Sequence, residues 1–339
     1  MNIVLTLDYE IYFGARSGSA ERTLLEPTRA LCRLAQRHGV PLVFFVDALW
    51  LLRLREEAPR HPALMAEHYR VSRQLERCAR AGHELQLHLH PHWQDTAWDG
   101  HTWRTDLRRY RLHAFADAEI AQMTQQATQA LRALAAGAPV SAFRAGGWCI
   151  QPFDRLRQPL LDAGIRIDST VYAGGRQDGG AHRYDFTQAP AESRWRFDDD
   201  PLQPRPHGAF LEVPIASHRV SPLWFWRMAA ARQLGLRQHR ALGEGSAVRP
   251  ARGDLWRKLL RRTASVVSID GMKAGFLEQA WRHYRAQGME DFVVIGHPKA
   301  LTPYALQQLE AFLRRHTGER FVGLNLYRHQ LRPAQRLAA

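Results

Sequence analysis

The sequence is poor in several things at once. It has three cysteines, Cys32, Cys78 and Cys149, far apart and odd in number, so a disulfide framework is not expected. No run approaches the roughly 18 uninterrupted apolar residues of a membrane-spanning helix. The richest, from Leu42 to Leu52, is short and carries Asp47 in its middle. The chain opens directly into Ile3-Val4-Leu5-Thr6-Leu7-Asp8, without the basic and apolar regions of a secretory signal, and a cytoplasmic location is the expectation. Lysine is scarce too: all but three of the 47 basic residues are arginines. The formal charge of +14 therefore looks like coding bias more than selection for a polyanion, and nucleic acid is not an expected partner. The excess is local. Ten basic residues lie between Arg227 and Arg262 against Glu244 and Asp254 alone.

What is present is a rhythm of strand and helix. Short β-rich runs recur at Ile3–Tyr9, Pro41–Val46, Glu84–His90, Ser141–Arg144, Ile165–Thr170, Leu211–Ile215, Phe292–His297 and Phe321–Tyr327. Helical segments such as Pro27–His38, Ala63–Ala81, Asp117–Ala135 and Ala305–His316 separate them. This order predicts an α/β fold with a mainly parallel sheet, and seven or eight units suit a deformed (β/α) barrel of about seven strands. Residues 1–330 form one expected domain, 331–339 a tail. The rhythm breaks at about 217–275, read as an inserted basic segment. It holds Pro222-Leu223-Trp224-Phe225-Trp226, an arginine-rich stretch, and a Gly/Ser/Pro-containing piece from Gly243 to Gly253.

Chemistry collects at the C-terminal ends of the predicted strands, where parallel barrels build active sites. Asp8 and Glu10 flank Tyr9, so their side chains share one side of an extended chain. In Glu84-Leu85-Gln86-Leu87-His88-Leu89-His90-Pro91-His92, leucines alternate with polar residues, and Pro91 excludes a continuing helix. Imidazoles converging with a carboxylate favour zinc or a related divalent metal, whereas a hydrogen-bonded histidine cluster is the plainer alternative. Phe143-Arg144-Ala145-Gly146-Gly147-Trp148 offers an arginine to orient a carboxylate and glycines for close backbone approach. Asp168-Ser169-Thr170 and Val293-Val294-Ile295-Gly296-His297-Pro298 deliver an aspartate and a histidine to the same rim.

Taken in order, these segments resemble the NodB-like polysaccharide deacetylases, carbohydrate esterase family 4, over roughly residues 1–300. The resemblance implies a deformed barrel that uses a divalent metal (zinc first, with cobalt, nickel, manganese or iron as alternatives) to hydrolyse acyl groups on sugars. By position, Asp8 matches the catalytic base, Arg144 the residue holding it, His88 and His92 the metal histidines, and His297 the general acid. The family's usual pair of adjacent aspartates is here Asp8-Tyr9-Glu10, as in a divergent branch. It makes Glu10 the expected third ligand and leaves either carboxylate a candidate for the metal. Tyr9, His90, Trp93, Gly147, Trp148 and Asp168 make up the expected substrate-binding set. The expected reaction is N-deacetylation of an amino sugar. A metal-independent cyclic-amide hydrolase on the same fold and a non-catalytic glycan- or membrane-binding protein are the competing classes. The basic insertion points to a phosphate-bearing or lipid-linked carbohydrate and to peripheral contact with a membrane.

Overall fold

A computed structural model describes residues 1–248, 256 and 259–331. The expected tail and the 249–253 end of the Gly/Ser/Pro piece lie outside the described residues. Seven strands run parallel in the order β8-β1-β2-β3-β4-β5-β7, with an antiparallel edge strand, β6, on β7. These are β1 (Asn2–Tyr9), β2 (Val43–Asp47), β3 (Glu84–Leu89), β4 (Ala142–Ala145), β5 (Ile167–Asp168), β6 (Trp195–Phe197), β7 (Phe210–Glu212) and β8 (Asp291–Gly296). A two-residue β9 (Arg320–Phe321) also pairs with β1, giving nine strands in the sheet. The sheet curls into the expected deformed barrel. Between β7 and β8 the gap is bridged by backbone alone: Ala216 N–H donates to Val293 O, and Ile295 N–H to Val267 O.

Parity sorts each strand. Val4, Val43, Phe45, Ala142, Ile167, Leu211, Val213 and Val293 fill the barrel, whereas Ile3, Leu5, Leu7, Leu85, Leu87 and Leu89 face the helices. Strands apolar on both sides suit a sheet covered on both faces, and this is why their sequences run nearly continuously hydrophobic. The covering layer includes α1 (Glu26–His38), α2 (Ala48–Glu57), α3 (Pro62–Arg80) and α4 (Asp117–Leu134). Gly39, at φ +63°, ends α1 in the left-handed conformation that glycine adopts without a Cβ clash. The apolar run from Leu42 splits at Asp47, whose carboxylate accepts from Trp50 N at the start of α2.

Two expectations change. The run Phe321–Tyr327 is strand for only one residue beyond Arg320. It then becomes a 3-10 helix, Leu324–Leu331, that closes the bottom of the barrel with Leu324 and Tyr327. The Glu84 side chain accepts from the N–H groups of Leu324 and Asn325, so a cap bond takes the place of a ladder. The second change is β6, which has no counterpart among the expected strands. The basic insertion leaves and returns on an antiparallel stem, Ser217–Val220 against Thr263–Val266, beside the bridged gap. No helix among the described residues is long and apolar enough to cross a membrane.

Candidate active site and metal centre

Parallel register brings the functional ends to one rim. Leu7 lies opposite Gly296, so Asp8 and His297 follow as neighbours, while Asp47, His88 and Arg144 lie in one row across β2, β3 and β4. Inside the rim, Glu10, His88 and His90 place one ligand atom each within 4.8 Å of one another. Glu10 Oε2 lies 2.5 Å from His90 Nε2 and 3.3 Å from His88 Nε2. His88 Nδ1 donates to the Arg144 carbonyl at 2.8 Å. A carbonyl only accepts, so Nδ1 carries a proton, and Nε2 is the nitrogen turned towards Glu10.

The fit to a divalent cation rests on the chemistry of these donors and on orphaned nitrogens. Both ring nitrogens of His90 are buried without a hydrogen-bond partner among the described residues, despite the close approach to Glu10. Contact without bond geometry, on a carboxylate and two imidazoles, is what a shared cation resolves. It is His90 that approaches Glu10 and His88 here, while the histidine expected as a ligand at position 92 stands beside it, 5.5 Å between ring centroids. Beyond Pro91 the chain turns into a 3-10 helix. The His92 ring then stacks on Tyr110, 5.6 Å between centroids at 13°, instead of joining the cluster. Its nitrogens are also buried and unpaired, so burial holds its pKa well below the usual histidine range. His90, expected against the substrate, lies beside Glu10 because period-two alternation puts it on the same side as His88. A Cβ on Gly146 would come within 2.7 Å of His90 Nδ1, so that glycine leaves room for the ring.

Arg144 is wholly buried inside the barrel. Its Nη1 donates to Asp8 Oδ1 at 2.6 Å and to Thr6 Oγ1, its Nε to the Ser169 carbonyl, and its Nη2 to Ser169 Oγ. The guanidinium also lies 4.1 Å over the Phe45 ring. Opposite, His297 Nε2 stands 3.7 Å from Asp8 Oδ2 and 3.6 Å from Glu10 Oε1. Its Nδ1 and its backbone N–H both bind Asp270, at 2.8 Å each. Burial alone would lower the His297 pKa, but Asp270, Asp8 and Glu10 outweigh it and raise it.

Three residues carry charge here without a signal in the sequence. Asp270 arrives on the returning leg of the insertion and orients His297. Lys299, buried, donates to Glu10 Oε1 and to the Ile11 carbonyl, each at 2.8 Å. Burial would push Glu10 up, yet Lys299 first and then His90 and His88 hold it well below the usual carboxylate range. Asp47, which accepts from Trp93 Nε1 at 2.6 Å, is pushed by burial to about 7.

The expected substrate-binding set divides. Gly147, at φ +58°, lies under Tyr110 and His182, and half-buried Trp148 packs on Tyr172 and Tyr184 at the same rim. Tyr9 instead points outward, its hydroxyl on Gln74 of α3, because its neighbours Asp8 and Glu10 take the inner face. Trp93 is fully buried against Asp47 and Trp103. Asp168 follows the inward Ile167 and so faces away from the barrel, beside Glu212 in register. Burial raises both of these carboxyls, and for Glu212 the neighbouring Asp168 raises it further.

Comparison with solved structures finds the same architecture elsewhere. A protein from Mycobacterium smegmatis, provisionally assigned as a polysaccharide deacetylase, aligns over 97% of this chain and 89% of its own at a TM-score of 0.52 and 16% identity. The chain carries the polysaccharide-deacetylase fold. The Puue allantoinase aligns over 96% of this chain and 89% of its own at a TM-score of 0.50 and 15% identity. The fold is thus found both in a protein assigned as a deacetylase and in an allantoinase, and at these identities the likeness is one of fold. No protein-family model matches the chain, and no curated protein matches it.

Proposed function

We propose that this chain is a metal-dependent hydrolase that removes an acetyl or other acyl group from the nitrogen of an amino sugar. The carrying observation is one constellation. A carboxylate clamped by a buried arginine stands beside a Glu-His-His cluster, and an aspartate-backed histidine stands on its other side. Glu10, His88 and His90 would hold the cation, which when bound supplies Lewis-acid polarisation of the acyl oxygen and acidification of water. Asp8 takes the proton of the attacking water at Oδ2, the oxygen left free while Oδ1 stays on Arg144. Arg144 keeps Asp8 aimed. His297, its Nδ1 proton fixed on Asp270, presents Nε2 to protonate the departing amine. The Gly147 N–H and Trp148 border the space left for the sugar, and burial of the centre excludes bulk water.

The test is acetate release from a panel of nucleotide-linked and lipid-linked N-acetyl sugars, with zinc or cobalt and with chelator. Release that depends on metal is the expected result. A second reading, hydrolysis of a cyclic amide without metal, is favoured by Lys299, whose ammonium already neutralises Glu10 from within the chain. Ring opening of a cyclic ureide that persists in chelator, with no acetate from any sugar, would replace the first reading by the second.

A further inference from the structure

Eight large apolar side chains are exposed among the described residues, and six of them lie in the basic insertion: Leu223, Trp226, Leu234, Leu236, Trp256 and Leu260. Leu223 and Leu234 are each 73% exposed. They sit at the two ends of the helix Pro222–Gln233 and just past it. Its inner side is apolar as well, with Phe225 buried and Trp224 packed on Phe276 at 5.2 Å. A helix bathed in water on one side shows mainly polar residues there, whereas this one exposes Leu223 and Trp226 beside Arg227. The Trp226 indole donates to the Leu259 carbonyl at 3.2 Å and so brings Leu260 into the same surface. Exposed apolar side chains gathered from two chain segments in this way point to a partner.

Charge identifies the partner. Arg227, Arg237, Arg240, Arg261 and Arg262 surround the patch, all exposed, and none pairs with a carboxylate among the described residues. The one acidic residue among the described positions of 217–266, Glu244, is engaged by Arg22 and Ser19. A second copy of the chain would set arginine against arginine across a two-fold contact. We propose that this face docks on an anionic phospholipid bilayer, with the leucines and tryptophans in the interfacial layer and the arginines at the phosphates. Tryptophan at the rim of such a patch matches its preference for the headgroup level.

The placement also has a consequence for the rim. Arg237 and Arg240 line a groove of about 1290 Å³ that Trp98 and His101 border from the other side. From there the chain returns across the loop that follows Glu10, Gly14 N–H donating to Ser246 O and Ser246 N–H to Arg16 O. Docking would turn this groove towards the bilayer surface. The inference does not depend on the hydrolysis proposed above, because binding is read without turnover.

The experiment is co-sedimentation of the full chain with vesicles of phosphatidylcholine alone or mixed with phosphatidylglycerol, at low and high salt. The expected result is binding to the anionic vesicles only, weakened by salt. Combining Leu223→Ser, Trp226→Ser and Leu234→Ser should reduce it on the order of tenfold or more. Arg237→Gln with Arg240→Gln should reduce it less and lower its salt dependence. Leu234→Glu alone, on a 73% exposed position, serves where the triple variant is poorly folded, and it should also weaken binding. Equal binding to both vesicle types, or unchanged binding by the triple variant or by Leu234→Glu, would overturn the proposal. So would a dimer in sedimentation velocity that the same substitutions dissolve, which would give the face to a second copy.

Discussion

Replacing Arg144 by methionine tests the centre of the site through stability rather than turnover. Methionine keeps most of the buried stem, so the perturbation is chiefly the loss of the guanidinium. That removes four hydrogen bonds, to Asp8, Thr6 and twice to Ser169, and leaves the Asp8 carboxylate, 7% exposed, without its cation. Breaking a buried ion pair from one side costs about 3–5 kcal/mol, most of it from the stranded charge. Asp8→Asn in the same chain removes that charge while retaining the amide's shape. The double variant should therefore be more stable than Arg144→Met alone by about 1–3 kcal/mol, although it carries one substitution more. The assay is urea unfolding at neutral pH in chelator, so that metal linkage does not enter the difference. A coupling energy below about 0.5 kcal/mol, the scatter of independent sites, would refute the reasoning and make the clamp a packing contact. Arg144→Lys should not restore the wild type, because a point charge cannot span Asp8 and Ser169 together.

Three further outcomes follow from the geometry. His90→Ala should weaken divalent-metal affinity by about 100-fold or more, whereas His92→Ala should retain the metal; competition against a chromogenic chelator reads both, and the reverse ranking would return His92 to the ligand set. Asp8→Asn should keep its metal in elemental analysis yet lose about 10²–10⁴ of turnover, and equal loss of metal would make Asp8 a ligand instead of the base. Glu212→Gln should flatten the pH dependence of stability: burial and then Asp168 raise the folded pKa of Glu212 well above its range, so the folded chain keeps a proton that the unfolded chain releases above about pH 4.3. Wild-type stability from this group is then full below that pH and falls as pH rises, and urea midpoints that decline equally in the variant would assign the slope elsewhere.

Most of the architecture was legible because barrel strands and their capping glycines leave local marks. Ile3–Tyr9 and Phe292–His297 are mostly apolar, Glu84–His90 alternates leucines with polar residues, and each ends in a polar residue, so both the strand and its functional end can be read without tertiary information. Phe321–Tyr327 shows the limit of that reading. It has the β-rich composition of a strand, but Glu84 offers its backbone N–H groups a cap, and Leu324 and Tyr327 bury themselves better as a plug. The short strand β6, three residues long, is below the length at which periodicity distinguishes a strand from a loop.

At the site, parity explains both what was read and what was misplaced. Alternation alone puts Asp8 and Glu10 on one side and Tyr9 on the other, and it puts His88 with His90, so the approach of His90 to Glu10 was available from the leucine pattern. The family resemblance pointed to His92, which lies on the 3-10 turn that begins at Pro91. The same alternation sends Asp168 outward once Ile167 is known to fill the barrel, but a two-residue strand gives too little pattern to fix its phase. Asp270 and Lys299 are different in kind. Asp270 meets His297 across 27 positions, and Lys299 meets Glu10 across 289. Neither contact exists until the insertion returns and β8 pairs with β1. No local rule marks an acid or a lysine as a partner when the partner is supplied by barrel closure. A lysine bound to Glu10 Oε1 leaves Oε2 for the histidines. The cation inside the chain thus fixes the carboxylate's orientation towards His88 and His90, through a residue whose sequence neighbourhood gives no sign of it.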